Sequence, residues 1–395
     1  MAAERTSPLR AHGEEAHQVS FFELFFDLVY VFAVTQLSHG LIEHIGLRGA
    51  AETAILLLAV WWAWVYTTWA TNWLNPDSTP VRLMLVAAMG AGLVMAASIP
   101  EAFGDGGLVF ALAYAAIQVG RSSFVLWAVR SDPVRRANFQ RIVVWNAAAS
   151  AVWIAGGLAA GPARDLIWIA ALAVDYAAPA VRFRVPGLGS SRTEDWTVTG
   201  SYISERFKLF IILALGESVI VTGATYSGLA PDAGTTAALA IAFAGSVAMW
   251  WIYFHRSAEA GADVIRRSAD PGRLARSAYT YSHLPMVAGI IVTAVADELI
   301  IKHPGGHADA ATLATALGGP ALFLAGHALF KFTVFGVVSV VRIAAIALLG
   351  VLVPIAAGLP PLLVGILATS VVVAVALIET LRSPAPDPEE LAVET

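Results

Sequence analysis

The stretch SFFELFFDLVYVFAVTQLSHG, Ser20 to Gly40, has the length and apolar content of a membrane span, yet it carries Glu23 and Asp27 one helical turn apart. About 20 predominantly apolar residues cross a bilayer. A charge at the bilayer centre costs roughly 2.5–3.5 kcal/mol even on a lenient scale, so protein or water has to answer both acids. Ser20 followed three residues later by Glu23 fits a capping box, in which the carboxylate bonds back to the first turn. A negative charge there also suits the positive helix end. Asp27 lies one turn deeper, beyond the cap, on a face continued by Tyr30 and Val34. That face is expected to turn toward protein or a water-filled cavity. Asp27 is then either a functional carboxylate or half of a buried ion pair. Gln36 and His39, at the far end of the same helix, complete its set of polar candidates.

The whole chain supports a membrane reading. Of its 395 residues 58% are hydrophobic and 13% charged, against about 25% charged in ordinary soluble domains. The mean hydropathy is +0.71. Cysteine is absent, which removes disulfides and thiolate metal sites. The net charge of −5 gives no reason to expect a nucleic-acid partner. Residues 1–19 include Glu4, Glu14 and Glu15 and the first apolar run contains acids, a pattern unlike a cleavable signal. The first span is therefore expected to persist in the mature protein.

Twelve apolar segments follow one another, near 20–40, 52–74, 82–100, 107–129, 139–160 and 164–183, then near 204–226, 236–255, 276–298, 317–337, 340–358 and 361–381. This predicts an all-α polytopic membrane protein of about twelve transmembrane helices. The expected division is a tail (1–19), a first six-helix repeat (20–184), a linker (185–203), a second six-helix repeat (204–382) and a second tail (383–395). Numbering the helix ends alternately puts 18 of the 24 Lys and Arg on one side, among them Arg82, Arg135, Arg141 and Arg276, and only Arg48, Arg164 and Lys302 on the other. Arg121, Lys208 and Lys331 fall inside spans. Positive charge marks the cytoplasmic side, so both chain ends are expected in the cytoplasm of a bacterial inner membrane.

An internal duplication is legible in weak matches. Val60, Trp64 and Tyr66 of the second span align with Val247, Trp251 and Tyr253 of the eighth, and Phe110 and Ala115 with Phe323 and Ala328. Phe22, Leu24 and Phe25 fall on Phe207, Leu209 and Phe210. An even-numbered unit gives parallel repeats about an axis along the membrane normal, with a pathway or site at their interface. A duplication that serves packing alone is the other reading.

Further polar residues lie at membrane depth. Glu205 and Arg206 stand at the mouth of the seventh span, and Glu217 lies near its midplane. Glu217 either pairs with a cation such as Arg121, or is protonated, or faces water; the same alternatives hold for Asp175. His283 in the ninth span, and His327 with Lys331 in the tenth, add the candidates of the second half. Trp61, Trp62, Trp64, Trp69 and Trp73 wrap around the second span and are expected to anchor it at the interface and in lipid. His303, His307 and Asp309 cluster in HPGGHADA without a fourth ligand, so no metal is assigned. There is no H-E-x-x-H, G-x-S-x-G or phosphate-loop motif, so no enzyme and no cofactor are expected.

The segments ELFFDLVYVFAVTQLSHG (23–40) and SERFKLFIILALGESVI (204–220) resemble the bacterial low temperature requirement A family. The resemblance runs through both halves, with Lys208 where the second motif has a small residue such as glycine. It implies a polytopic bacterial membrane protein associated with growth in the cold. More distantly, the first helix is similar to that of potassium channels with a Phe-Ser-Asp motif; Phe26 and Asp27 correspond, without the serine. The leading functional expectation is a transporter or channel moving a small solute or ion past Asp27 and Glu217. A non-transporting, membrane-organising protein with structural ion pairs is the alternative, and an intramembrane lipid-modifying enzyme a second. The expected partners are the lipid bilayer and the solute, and a homo-oligomer is compatible with the sequence.

Overall fold

Local signals start and stop the helices of this chain. The computed structural model describes residues 7–10, 19–191, 200–255, 261, 264–265, 268 and 271–382. The first six helices are α1 (Phe21–Glu43), α2 (Leu47–Thr71), α3 (Thr79–Ala97), α4 (Gly107–Ala128), α5 (Pro133–Leu158) and α6 (Pro162–Ala180). The next two are α7 (Gly200–Ser227) and α8 (Ala233–Phe254). α9 (Gly272–Lys302) contains a π-helical segment, Arg276–Tyr281. The last three are α10 (Ala310–Phe335), α11 (Val340–Ala356) and α12 (Pro361–Arg382). Proline in the first turn of α3, α5 and α6 gives up no helical hydrogen bond. Asp132, Asp232 and Asp309 cap α5, α8 and α10. Gly336, at φ 67°, ends α10 in the left-handed conformation that glycine adopts without strain.

All twelve segments read from the sequence are helical, and ten are long and apolar enough to cross a membrane. The other two are α6, which carries Arg164, Asp165 and Asp175, and the 17-residue α11. Several helices start earlier than hydropathy suggested. α2 begins at Leu47, α5 at Pro133 and α7 at Gly200, because the helical backbone ladder continues through polar first turns beyond the apolar run. The end of the expected linker is thus the first turn of α7, and 192–199 lie outside the described residues, as do 1–6, 11–18 and 383–395. The described part of the first tail is docked: Arg10 donates to the carbonyls of Thr71 and Leu74 at 3.2 and 2.8 Å.

The helices form two sets with the same order of neighbours. The first packs in the cycle α1, α2, α6, α5, α4, α3, and the second in the cycle α7, α8, α12, α11, α10, α9. α1 and α2 meet α7 and α9 where the sets join. The burial patterns of 108–117 in α4 and 321–330 in α10 agree position by position. For α1 and α7 the register is one residue away from the expected alignment: Phe25 is exposed and Phe210 buried, whereas Phe26, Tyr30 and Val34 match Phe210, Ala214 and Ser218 in burial. α2 and α8 differ, since Trp64 is buried and Trp251 exposed. The placement of α2 overturns the interfacial reading of its tryptophans. Trp61, Trp62 and Trp64 are at most 2% exposed, because α2 is flanked by helices of both sets.

α9 and α10 are packed by small residues. A Cβ on Gly289 would sit 2.4 Å from the Phe323 nitrogen and 2.7 Å from the Gly319 carbonyl oxygen. Backbones this close exclude side chains and gain dispersion contact along the seam. Gly289→Val is therefore expected to abolish the monodisperse peak in detergent size-exclusion chromatography. Gly40→Ala, where nothing lies within 4 Å, is expected to leave the peak unchanged.

Candidate functional site

The two acids that open the sequence lie on the seam between α1 and α7. At its first level Ser20 and Glu23 form the capping box: Ser20 N–H and Oγ–H both donate to Glu23 Oε2 at 2.8 Å, and Glu23 N–H returns to Ser20 Oγ at 3.3 Å. Glu23 Oε1 is also 3.2 Å from Arg10 Nη2 and accepts from the Tyr202 hydroxyl. Glu205 accepts the Val19 N–H at 3.3 Å. One turn deeper, Asp27 Oδ1 accepts from Arg206 Nη2 and from Trp64 Nε1, each at 2.7 Å. Asp27, Arg206 and Trp64 are all fully buried. Further along, the Thr35 hydroxyl donates to Glu217, again joining α1 to α7.

In this geometry Asp27 is half of a buried ion pair with Arg206. Of the alternatives open for Glu217, pairing with Arg121 is not formed: Glu217 accepts from Thr35, and Arg121 makes no ion pair among the described residues. Gln36 is half-buried and His39 exposed, and neither joins the seam. Tyr202 and Trp64 are members that sequence reading missed. The signal was the Tyr202–Arg206 spacing on one face of α7, which matches Glu23–Asp27 on α1.

The remaining candidates fall into two other groups. In the first set, Asp175 Oδ2 accepts from the Tyr114 hydroxyl at 2.7 Å and Trp153 Nε1 at 2.9 Å. In the second, His283 is bonded to the Tyr253 hydroxyl at 2.8 Å and the Ala278 carbonyl at 3.1 Å. His327 is buried among Tyr253, Phe323 and Phe330, with neither ring nitrogen bonded among the described residues. Lys331 lies 3.6 Å from Glu379, which Arg342 grips with both Nη atoms at 2.6 and 2.7 Å. The Arg342–Glu379 fork was missed because the two lie 37 residues apart. Near the loop histidines, Asp309 accepts the Thr312 N–H at 2.8 Å, which holds its carboxyl below the usual range, and His307 bonds the Gly358 carbonyl. No three His, Asp or Glu gather to hold a metal among the described residues.

Arg121 departs from this pattern of answered charges. It is 3% exposed, and the groups that touch it are neutral: the Ala63 carbonyl at 3.4 Å, Thr67 Oγ1 at 3.3 Å, Ser122 Oγ at 3.4 Å and the Tyr66 ring at 5.2 Å; the Asp175 carboxylate attracts it from beyond ion-pair distance. Arg121 forms no ion pair among the described residues. It lies at a narrow, open-mouthed pocket with a cavity volume of about 60 Å³. The walls come from α2, α4, α5 and α6 of one set, including Trp62, Tyr66, Trp69, Phe139 and Pro179, and from Gly272, Arg273, Arg276 and Thr280 of α9 in the other. Two backbone irregularities border it. Phe183, another wall residue, follows Arg182 through the left-handed region at φ 49° and 57°, a conformation costly for residues with a Cβ. Thr280 belongs to the π-helical segment and accepts from Trp61 Nε1 at its carbonyl, 2.8 Å away, and from Trp69 Nε1 at its hydroxyl, 3.2 Å away.

Removing one partner of a buried ion pair costs about 3–5 kcal/mol, whereas replacing both with apolar groups is far milder. Asp27→Leu is expected to destabilise the purified protein by about that amount in detergent unfolding. The double substitution Asp27→Leu, Arg206→Leu is expected to recover most of the loss. A single substitution without effect would show that the pair is not formed.

A family profile described as bacterial low temperature requirement A protein (LtrA) matches residues 18–377. A protein of Rhizobium meliloti (strain 1021), titled "Uncharacterized protein RA0937", is 43% identical over 328 residues, 82% of this chain and 80% of its own length. The profile takes in the seam, the pocket and both helix sets, and the chain belongs to the bacterial low temperature requirement A family.

Proposed function

We propose that the protein is a transporter or channel that moves a small solute or ion across the bacterial inner membrane, with both chain ends in the cytoplasm. The observation that carries this reading is the buried Arg121 guanidinium at a pocket walled by both helix sets. Desolvating a charge costs several kcal/mol. Inside a membrane bundle, ionisable groups mark solute paths when no structural partner accounts for them. The common cycle of neighbours supports a duplicated six-helix unit, and paths in duplicated transporters lie between the units. The seam carboxylates Asp27 and Glu217 act in this reading as the joint between the sets, while the solute passes beside Arg121. The Lys and Arg asymmetry supports the orientation.

A membrane-organising role in cold or stress adaptation, without transport, is favoured by a different observation. Glu23, Asp27 and Asp175 each already have partners, so none of them requires a transported ion.

The full chain in liposomes, under potassium, proton or benzoate gradients, separates the two readings. Flux of at least one of the three above protein-free vesicles is expected. A charged hydrogen bond contributes about 1.5–3 kcal/mol, so Arg121→Gln is expected to lower that flux at least about tenfold while the protein still melts cooperatively. Folded wild-type protein that moves none of the three would favour the organising role.

A further inference from the structure

We infer that the pocket beside Arg121 is a binding site for an organic anion with an apolar, ring-sized body. The inference rests on the pocket's place in the transport reading and goes further by naming the ligand's chemistry. Charge comes first. The described lining holds three arginines, Arg121, Arg273 and Arg276, and no aspartate or glutamate. Arg276 is half-buried and Arg121 buried, so positive charge reaches into the interior of the pocket and draws anions inward. A guanidinium presents a planar fork suited to a carboxylate or phosphate oxygen pair. At Arg121 that fork has only neutral acceptors at 3.3–3.4 Å, the long end of the hydrogen-bond range.

The walls specify the rest of the ligand. Aromatic rings of Trp62, Tyr66, Trp69, Trp73, Phe139 and Phe183 surround the space. A small inorganic anion would leave these faces without contact, while a ring or short apolar chain gains stacking and dispersion from them. The Trp62 ring is itself held in place by stacking on Tyr176, 4.0 Å between centroids, so one wall is preorganised. Strain at Arg182 and Phe183 fits a segment shaped to present a side chain to a ligand. The Trp61 and Trp69 bonds to Thr280 link the pocket wall to α9. An anion on an apolar body comes from two sources, a free organic acid or the headgroup of an acidic lipid.

The test uses the purified full-length chain in detergent, with benzoate and its neutral isostere benzamide as probes in saturation-transfer NMR. Benzoate is expected to bind saturably, with benzamide at least about tenfold weaker, the difference a charged hydrogen bond makes. Arg121→Gln is expected to lose the preference, and Arg121→Lys to keep part of it, because the charge remains without the fork. Should Arg121→Gln not fold, Ala70→Phe fills the pocket from α2 without touching the charge, and it too is expected to abolish binding. In a second arm, protein in phosphatidylglycerol nanodiscs is examined by native mass spectrometry. A retained acidic lipid that Arg121→Gln releases and benzoate displaces would assign the site to the headgroup. Equal binding of benzoate and benzamide, binding unchanged by both Arg121→Gln and Ala70→Phe, or no binding of benzoate or lipid would overturn the site. Binding without flux would leave the site standing and remove the transport reading. Flux indifferent to Arg121, alongside benzoate binding that depends on it, would leave the site standing and take Arg121 out of the transport path.

Discussion

Charge is expensive in a medium that solvates it poorly, and the contact of Asp27 with Arg206 shows how this bundle meets that constraint. One carboxylate oxygen takes two donors at 2.7 Å, from α7 and from α2. The pair is not fully satisfied: Asp27 Oδ2 and Arg206 Nε and Nη1 have no hydrogen-bond partner among the described residues. Such a pair contributes little net stability compared with a well-packed apolar one. Its contribution is register. Shifting α1 by one residue against α7 rotates each side chain by about 100° around a helix of 3.6 residues per turn, and the carboxylate would leave its partners. Levels at Glu23, Asp27 and Thr35 repeat the constraint along α1, fixing how the two sets meet.

Much of this was legible in the sequence, for physical reasons. Helix existence follows from apolar runs long enough to span lipid, so all twelve segments were found. The capping box at Ser20 and Glu23 was readable because it is local, with both partners within one turn. The face of Asp27, Tyr30 and Val34 was readable because helical period fixes it, and all three are buried. Helix ends were less legible because polar first turns, such as that of α5 around Arg135 and Arg136, extend past the apolar run. Pairings across the bundle were not legible at all. Arg206 lies 179 residues from Asp27, and nothing in either segment names the other. The tryptophans of α2 misled for a related reason. Wrapping around a helix is what lipid anchors do, but it is equally what a helix with protein on every side requires, and only the neighbours distinguish the two.

The same chemistry receives two treatments in the first set. Asp175, buried on α6, is met by Tyr114 and Trp153 at ordinary hydrogen-bond lengths. Arg121 is buried nearby on α4 and is met only by long neutral contacts and the face of Tyr66. A carboxylate satisfied by a phenol and an indole needs nothing further. A guanidinium in aromatic surroundings keeps its fork available, since a ring face interacts with its charge without occupying its donors. This contrast separates the partnered acid of α6 from the cation of the pocket, although both looked alike in the sequence as charges at membrane depth.

The position of the pocket gives that contrast a mechanical consequence. Its walls belong to both sets, and the nearest link between them is not an ion pair but the bonds of Trp61 and Trp69 to Thr280. Thr280 lies in a π-helical segment, where the regular backbone ladder is interrupted and helices bend more readily. The seam at Asp27 resists sliding because its partners are buried and specific. The contact at Thr280 is built from neutral bonds on an irregular helix and resists less. The two joints between the sets thus differ in kind: a buried charged contact holds α1 to α7, and neutral bonds to an irregular helix hold α2 to α9.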